Sequence, residues 1–221
     1  MPELLPSKRN LGDGNGLLEN SPFAGGVYIS CPFADEPAVF WRDLSFAGMI
    51  PNTFNTVTWG YATITFSDQT DVDKILPKGK KGNNYVYTWS GGMAYNNGGN
   101  PNVNANDNTN YFGLANVYAP GGWSTFSGVG MKPGLTQIEA QAIDAKIDDG
   151  FAMSGSVIAA IDATYRVNYS NWVQPALPNL DVVAYSRNCF DNGGNGSQPA
   201  KYALGNTSYL GGVVCALSFK F

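Results

Sequence analysis

The chain contains no histidine. That removes the commonest general base and the commonest metal ligand. A Ser-His-Asp triad is excluded, and no Gly-x-Ser-x-Gly turn occurs. Charge is scarce as well, at 14% of residues against roughly 25% in an average domain. The polar surface must then come from Asn, Ser, Thr, Gln and Gly. Such a balance suits a loop-rich extracellular or periplasmic protein, or simply a β-rich protein of low charge. The net charge is −4, and no region is strongly basic. The one cationic cluster, Lys78, Lys80 and Lys81, lies beside glycines and reads as a solvated turn. Nucleic-acid binding needs a broader basic face, so no nucleic acid is expected as a partner.

Long apolar runs are missing too. No stretch approaches the 18 or more residues of a membrane span, and no leader with a basic start and apolar middle is visible. Cysteine is limited to Cys31, Cys189 and Cys215, whose spacing fits no zinc knuckle. The segment between Cys189 and Cys215 is rich in Asn, Gly and Ser and has little to pack. A disulfide closing it would contribute about 3 kcal/mol on the chain-entropy argument. Cys31 would then be the odd thiol, buried or exposed, but the spacing alone does not choose the pairing.

What is present is enough for one core. At 221 residues and 43% hydrophobic content the chain reads as a single globular domain over 1–221, with a coil-rich segment at 1–26. Within that segment Asp13 and Asn15 open like a calcium loop, but Leu18 stands where such a loop needs glycine, and Asp-Gly and Asn-Gly are ordinary turn signals. Val27 to Ser30 reads as a short strand. A helix starts at Asp35-Glu36-Pro37, carries a stripe of Phe40, Leu44 and Ala47 beside Trp41, and ends at Gly48 and Pro51. The period then switches to two. Val57 to Phe66, Tyr85 to Trp89, Tyr111 to Tyr118, Gly155 to Ala163, Val182 to Tyr185 and Val213 to Phe221 read as strands. Asp68 to Asp73 reads as a polar turn.

The stretch from Gly134 to Gly155 has the clearest helical signals. Thr136 and Glu139 make a capping box. Ile138, Ala142, Ile143 and Ile147 form an apolar stripe. Gly150 stops the helix just after Asp148 and Asp149. Aspartates there oppose the helix dipole, so Lys146, a group of backbone amides or a cation must compensate. Asp148 and Asp149, with Asp13 and Asn15, are therefore the candidate metal ligands, with calcium as the ion. Asn96 to Asn110, nearly all Asn, Gly and Asp, is an exposed loop. In it Asn104 and Asp107, with Trp123 and Trp172 elsewhere, are candidate contacts for a sugar. Only carboxylate chemistry remains for an enzyme, and the spacing of Glu139, Asp148 and Asp162 selects no pair.

Four stretches together resemble bacterial proteins made with a prepilin-type leader, the type IV pilins and type II secretion pseudopilins. They are Gly12 to Gly16; Trp41, Leu44, Ala47, Gly48 and Ile50; Leu135, Thr136, Ala140, Ile143, Asp144, Lys146, Ile147, Asp148, Asp149 and Gly150; and Cys215, Leu217, Phe219 and Phe221. One subgroup of these proteins carries similar runs in the same order. It usually has a proline soon after the glycine, where this chain has Phe151-Ala152. The resemblance implies an α+β fold, an antiparallel sheet packed against helices, with the last cysteine paired to one upstream. It also implies a non-enzymatic subunit of a periplasmic or cell-surface filament, whose partners are other pilin or pseudopilin subunits. Membrane attachment would come only through a long apolar N-terminal helix, which this sequence does not display. Either that anchor lies outside the sequence, or the domain serves another purpose. The alternative reading is a secreted carbohydrate-binding module or adhesin.

Overall fold

The computed structural model describes residues 14–18, 35–54, 69–90, 109–118, 130–162, 173–175, 189–191, 201–204 and 212–221. The helices are α1 (Asp35–Phe46), α2 (Gln69–Asp73) and α3 (Gln137–Ile147). The strands are β1 (Asn84–Ser90), β2 (Asn110–Tyr118), β3 (Gly130–Lys132), β4 (Val157–Asp162), β5 (Val173–Pro175), β6 (Phe190–Asp191), β7 (Lys201–Tyr202) and β8 (Ala216–Lys220). The main sheet runs β1-β2-β8-β4-β5, with β3 continuing along β2. Every pairing is antiparallel, so the α+β expectation holds at this level.

β8 lies inside the described sheet. β8 pairs β2 on one side, Leu114 opposite Leu217, and β4 on the other, Ala159 opposite Leu217. Residues opposite one another share a face, so Leu114, Leu217 and Ala159 form one apolar row. Phe112, Phe219 and Val157 form the next row on that face. Across the edge pairing, Tyr87 lies opposite Gly113. A Cβ at Gly113 would come within 2.1 Å of the Tyr87 ring, so only glycine lets that buried ring cross β2.

Among the described residues the core has two parts. Val39 and Trp41 of α1 join Phe54, Val72, Ile75, Leu76, Tyr85, Tyr87, Ala115 and Val117. The second gathers Leu135, Ala140, Val157, Ala159, Cys189, Phe190, Tyr202, Cys215 and Leu217. Thr88 Oγ1 donates to Pro37 O at 3.1 Å, which seats the first turn of α1 on β1. At the far end of β2, Phe112 stacks on Phe221 with ring centroids 4.0 Å apart, and Phe40 lies 5.9 Å from Phe112.

Several expectations change. Asp68 to Asp73, read as a turn, contains α2, because Val72, Ile75 and Leu76 are all buried and draw this segment onto the core. β5 lies outside the expected strands, at the end of the described sheet order, an edge position that tolerates Pro175. The α1 stripe is rotated. Pro37, Val39 and Trp41 are buried, Phe40 and Leu44 are half-buried, and Ala47 is exposed. The strands expected at 27–30, 57–66 and 182–185 lie outside the described residues, as do Cys31 and the Asn-rich stretch before Thr109.

Candidate functional site

The two ends of α3 concentrate the polar chemistry of the described residues. Thr136 is the N-cap. Its Oγ1 accepts from the Glu139 N–H at 3.3 Å, and its own N–H donates to Glu139 Oε2 at 2.9 Å. The box expected from sequence is therefore present. Lys81 adds a charge-assisted hydrogen bond to the same Glu139 oxygen. The Lys81 ammonium, with the Thr136 N–H behind it, holds the Glu139 carboxyl down to about 2. The entry to α3 is fixed from the other side by Cys215, whose carbonyl accepts from the N–H groups of Gly134 and Leu135 at 2.9 Å.

The body of α3 contradicts the periodicity. Its buried residues are Gln137, Ala140 and Asp144. Ile138 is 62% exposed and Ile147 61%, and Ala142 is exposed too. Of the expected stripe only Ile143 packs, partly buried, against the second core. The reason is what α3 faces. Tyr202, in the loop closed by Cys189 and Cys215, donates its hydroxyl to Asp144 Oδ2 at 2.8 Å in a buried contact. A polar helix face suits a partner that brings a polar group inward.

At the far end the aspartates bind the turn that follows. Asp144 Oδ1 accepts from the Gly150 N–H at 3.1 Å. Asp148 Oδ2 accepts from the N–H groups of Ser156 and Val157, the latter at 3.0 Å, and so starts β4. Asp149 accepts from the Phe151 N–H at 2.8 Å and the Ser154 hydroxyl at 2.6 Å. The dipole conflict posed by acids at a helix C-terminus is thus answered by a cluster of backbone amides. Gly155 makes the approach possible. It has φ +72°, and a Cβ there would lie 1.8 Å from Asp148 Oδ2.

Oxygens of Asp144, Asp148 and Asp149 lie within 4.8 Å of one another. As hard carboxylate oxygens they are the donors calcium takes, but calcium takes six to eight. Here Asp144 and Asp149 engage both carboxylate oxygens, and Asp148 engages Oδ2, with N–H and O–H donors of the chain. The set fits a clasp of the α3–β4 turn better than a cation cradle. Burial pushes the Asp144 carboxyl up, and the charges of Asp149 and Asp148 add to that push, against the pull of the Tyr202 and Gly150 hydrogen bonds. Burial, followed by the Asp144 carboxylate, pushes the Tyr202 phenol far up.

The other expected site residues separate. Asn15 accepts from the Leu17 N–H at 2.7 Å within its own turn, and Asn110 ties that turn to β2 through Gly16 O at 2.7 Å. Its role there is an Asx turn. Asp13, Asn104, Asp107, Trp123 and Trp172 lie outside the described residues. Glu139 and Asp148 stand at opposite ends of α3, about 13 Å apart along its axis. That exceeds the span of paired glycosidase carboxylates. Cys189 and Cys215 are bonded, with Cα atoms 5.1 Å apart. Among the described residues no helix is long and apolar enough to cross a membrane.

Sequence reasoning passed over Asp144 and Tyr202. A signal for the first existed: Gln137, Ala140 and Asp144 lie three and then four apart, the spacing of one helix face. Nothing in the sequence pointed to Tyr202. No family model, curated protein or solved structure matches this chain.

Proposed function

We propose that the protein is a non-enzymatic subunit of a bacterial periplasmic or cell-surface filament of the pilin or pseudopilin kind. The observation that carries this reading is where the four pilin-like stretches lie. All lie at or next to contacts with the C-terminal segment 215–221. Gly16 binds Asn110, whose carbonyl accepts from the Phe221 N–H at 3.0 Å. Phe40, beside Trp41, lies 6.2 Å from the Phe221 ring. Leu135 bridges Cys215, and Cys215 carries the disulfide to Cys189. Stretches far apart in sequence that meet at one segment are what a shared fold requires. The disulfide suits an oxidising compartment, where such bonds persist. On this reading the partners are further filament subunits, and the α3–β4 clasp and disulfide loop stiffen a domain carried on the filament.

The test is mass spectrometry of the protein isolated from its source, together with immunogold labelling of sheared surface fibres. A native form with an additional apolar N-terminal segment and a methylated first residue, found in fibres, is the expected result. A native form beginning at Met1 and recovered only as free protein would overturn the reading.

A further inference from the structure

We infer that Asn15 is a self-modification site, where the Gly16 nitrogen displaces ammonia from the Asn15 side chain and the isoaspartate that results releases the 14–18 turn from β2. Asparagine is a chemically labile residue. Its lability is greatest where glycine follows, because a side chain on the attacking residue would crowd the closing ring. Asn15-Gly16 is the one Asn-Gly pair among the described residues. Both residues are exposed, and a Cβ built at Gly16 would meet nothing within 4 Å. There is room for the ring to form and for water to reach it.

The fold adds a donor at the reacting carbonyl. Leu17 N–H donates to Asn15 Oδ1 at 2.7 Å. That bond polarises the carbonyl and makes Cγ a better electrophile. The same N–H then faces the oxyanion that forms as the Gly16 nitrogen adds to Cγ. The hydrogen bond also closes a loop of atoms that includes the Gly16 nitrogen, so nucleophile and electrophile are held in one turn.

The bond between the Gly16 nitrogen and Cγ forms, the Cγ–Nδ2 bond breaks, and ammonia leaves carrying the Gly16 proton. The product is a cyclic succinimide. Water then opens it at either carbonyl. Cleavage of the Cγ–N bond gives aspartate. Cleavage on the side of the original main-chain carbonyl gives isoaspartate, with the chain running through Cβ and Cγ. No electrons are gained or lost.

Isoaspartate lengthens the backbone by one atom just before Gly16, and that is where the turn is clamped. Asn110, at the start of β2, holds it at two points. Its Nδ2 donates to Gly16 O at 2.7 Å, and its Oδ1 accepts from the Leu18 N–H at 2.9 Å. The extra atom removes the Leu17 bond to Asn15 Oδ1 and shifts Gly16 and Leu18 off Asn110. The carbonyl of Asn110 accepts from the Phe221 N–H. Release therefore uncovers the corner where β2 meets the C-terminal segment.

The full chain is incubated at neutral pH in heavy-oxygen water, folded and in guanidinium chloride. Asn15 is followed by peptide mass spectrometry with fragmentation that separates aspartate from isoaspartate. In the folded chain Asn15 should convert to both products, with oxygen taken from the water, at least as fast as in denaturant. In the isoaspartate fraction, amide exchange at Leu18 should rise about five- to tenfold, as loss of one hydrogen bond allows, while β1 keeps its protection. Asn15→Gln, whose longer side chain does not close the same ring, should show neither change. Slower conversion in the folded chain than in denaturant, or none, would overturn the site. Full protection of Leu18 in the isoaspartate fraction would overturn the release.

Discussion

Helices α1 and α3 have similar lengths and both carry apolar residues at helical spacing, yet they are buried in opposite ways. α1 turns Val39 and Trp41 inward, against Phe54 and the β1 tyrosines. α3 turns Gln137, Ala140 and Asp144 inward and leaves Ile138 and Ile147 out. The difference lies in the partners. α1 meets an apolar and aromatic surface. α3 meets a disulfide-closed loop that brings a phenol hydroxyl inward, and at its end a turn whose backbone amides its aspartates satisfy. A helix buries the face that its partner can satisfy, and apolar spacing is a guide only where the partner is apolar.

The comparison can be broken most strongly at Trp41. Trp41→Ala should cost roughly 3–5 kcal/mol in urea unfolding. A cost under about 1 kcal/mol would mean that α1 is not the apolar anchor. On the α3 side, reducing the Cys189–Cys215 disulfide should cost about 3 kcal/mol. It should also expose the second core before the first, seen as earlier amide exchange in α3 than in β1.

Asp144→Ala leaves the buried Tyr202 hydroxyl without an acceptor and should cost about 1–3 kcal/mol. Combined with Tyr202→Phe, the two losses should fall well short of additive. Additive losses would show that the two side chains act separately. The pH profile separates the two ends of α3. Glu139 titrates at about 2 when folded, below its ordinary 4.5. It therefore contributes stability that is full above 4.5 and is lost as pH falls through about 2. The gap between the wild type and Glu139→Gln should close over that range. Asp144 has the opposite sign. Its raised folded value favours the protein below the ordinary 3.8, and that contribution is lost as pH rises through the folded value. Asp144→Asn should remove this decline.

The smallest expected effect is the sharpest comparison. Ile138→Ser should change stability by less than about 0.5 kcal/mol, as exposed positions do. A cost of about 2–4 kcal/mol, as for a core isoleucine, would restore the apolar stripe and reverse the account of α3.

Much of the local structure was legible. Thr136 and Glu139 announce the start of α3, because a cap depends on residues three positions apart. Pro37 and the acids before it announce α1 for the same reason. β1 and β2 are readable from their aromatic and β-branched composition, β4 as a short buried apolar run, and β8 from its alternation. The single turn of α2 was not legible, since its polar residues suit a turn and only the burial of Val72, Ile75 and Leu76 decides otherwise. The candidate site was half legible. Asp148 and Asp149 stood out as charges in the wrong place for a helix dipole, whereas Asp144 stood only as one residue of the pilin-like run, with no role of its own.

Local sequence is enough to place the starts of α1 and α3, to mark which segments are strands, and to exclude serine-triad chemistry, since each depends on residues close together or wholly missing. It takes long-range packing to set β8 between β2 and β4, inside the described sheet. Only that packing turned α3's polar face inward and its isoleucines outward, and only it resolved three crowded aspartates into a clasp of backbone amides. These are contacts across tens of residues, such as Tyr202 on Asp144 and Cys189 on Cys215. No local periodicity encodes them, because their energy comes from the partner that arrives from elsewhere in the chain.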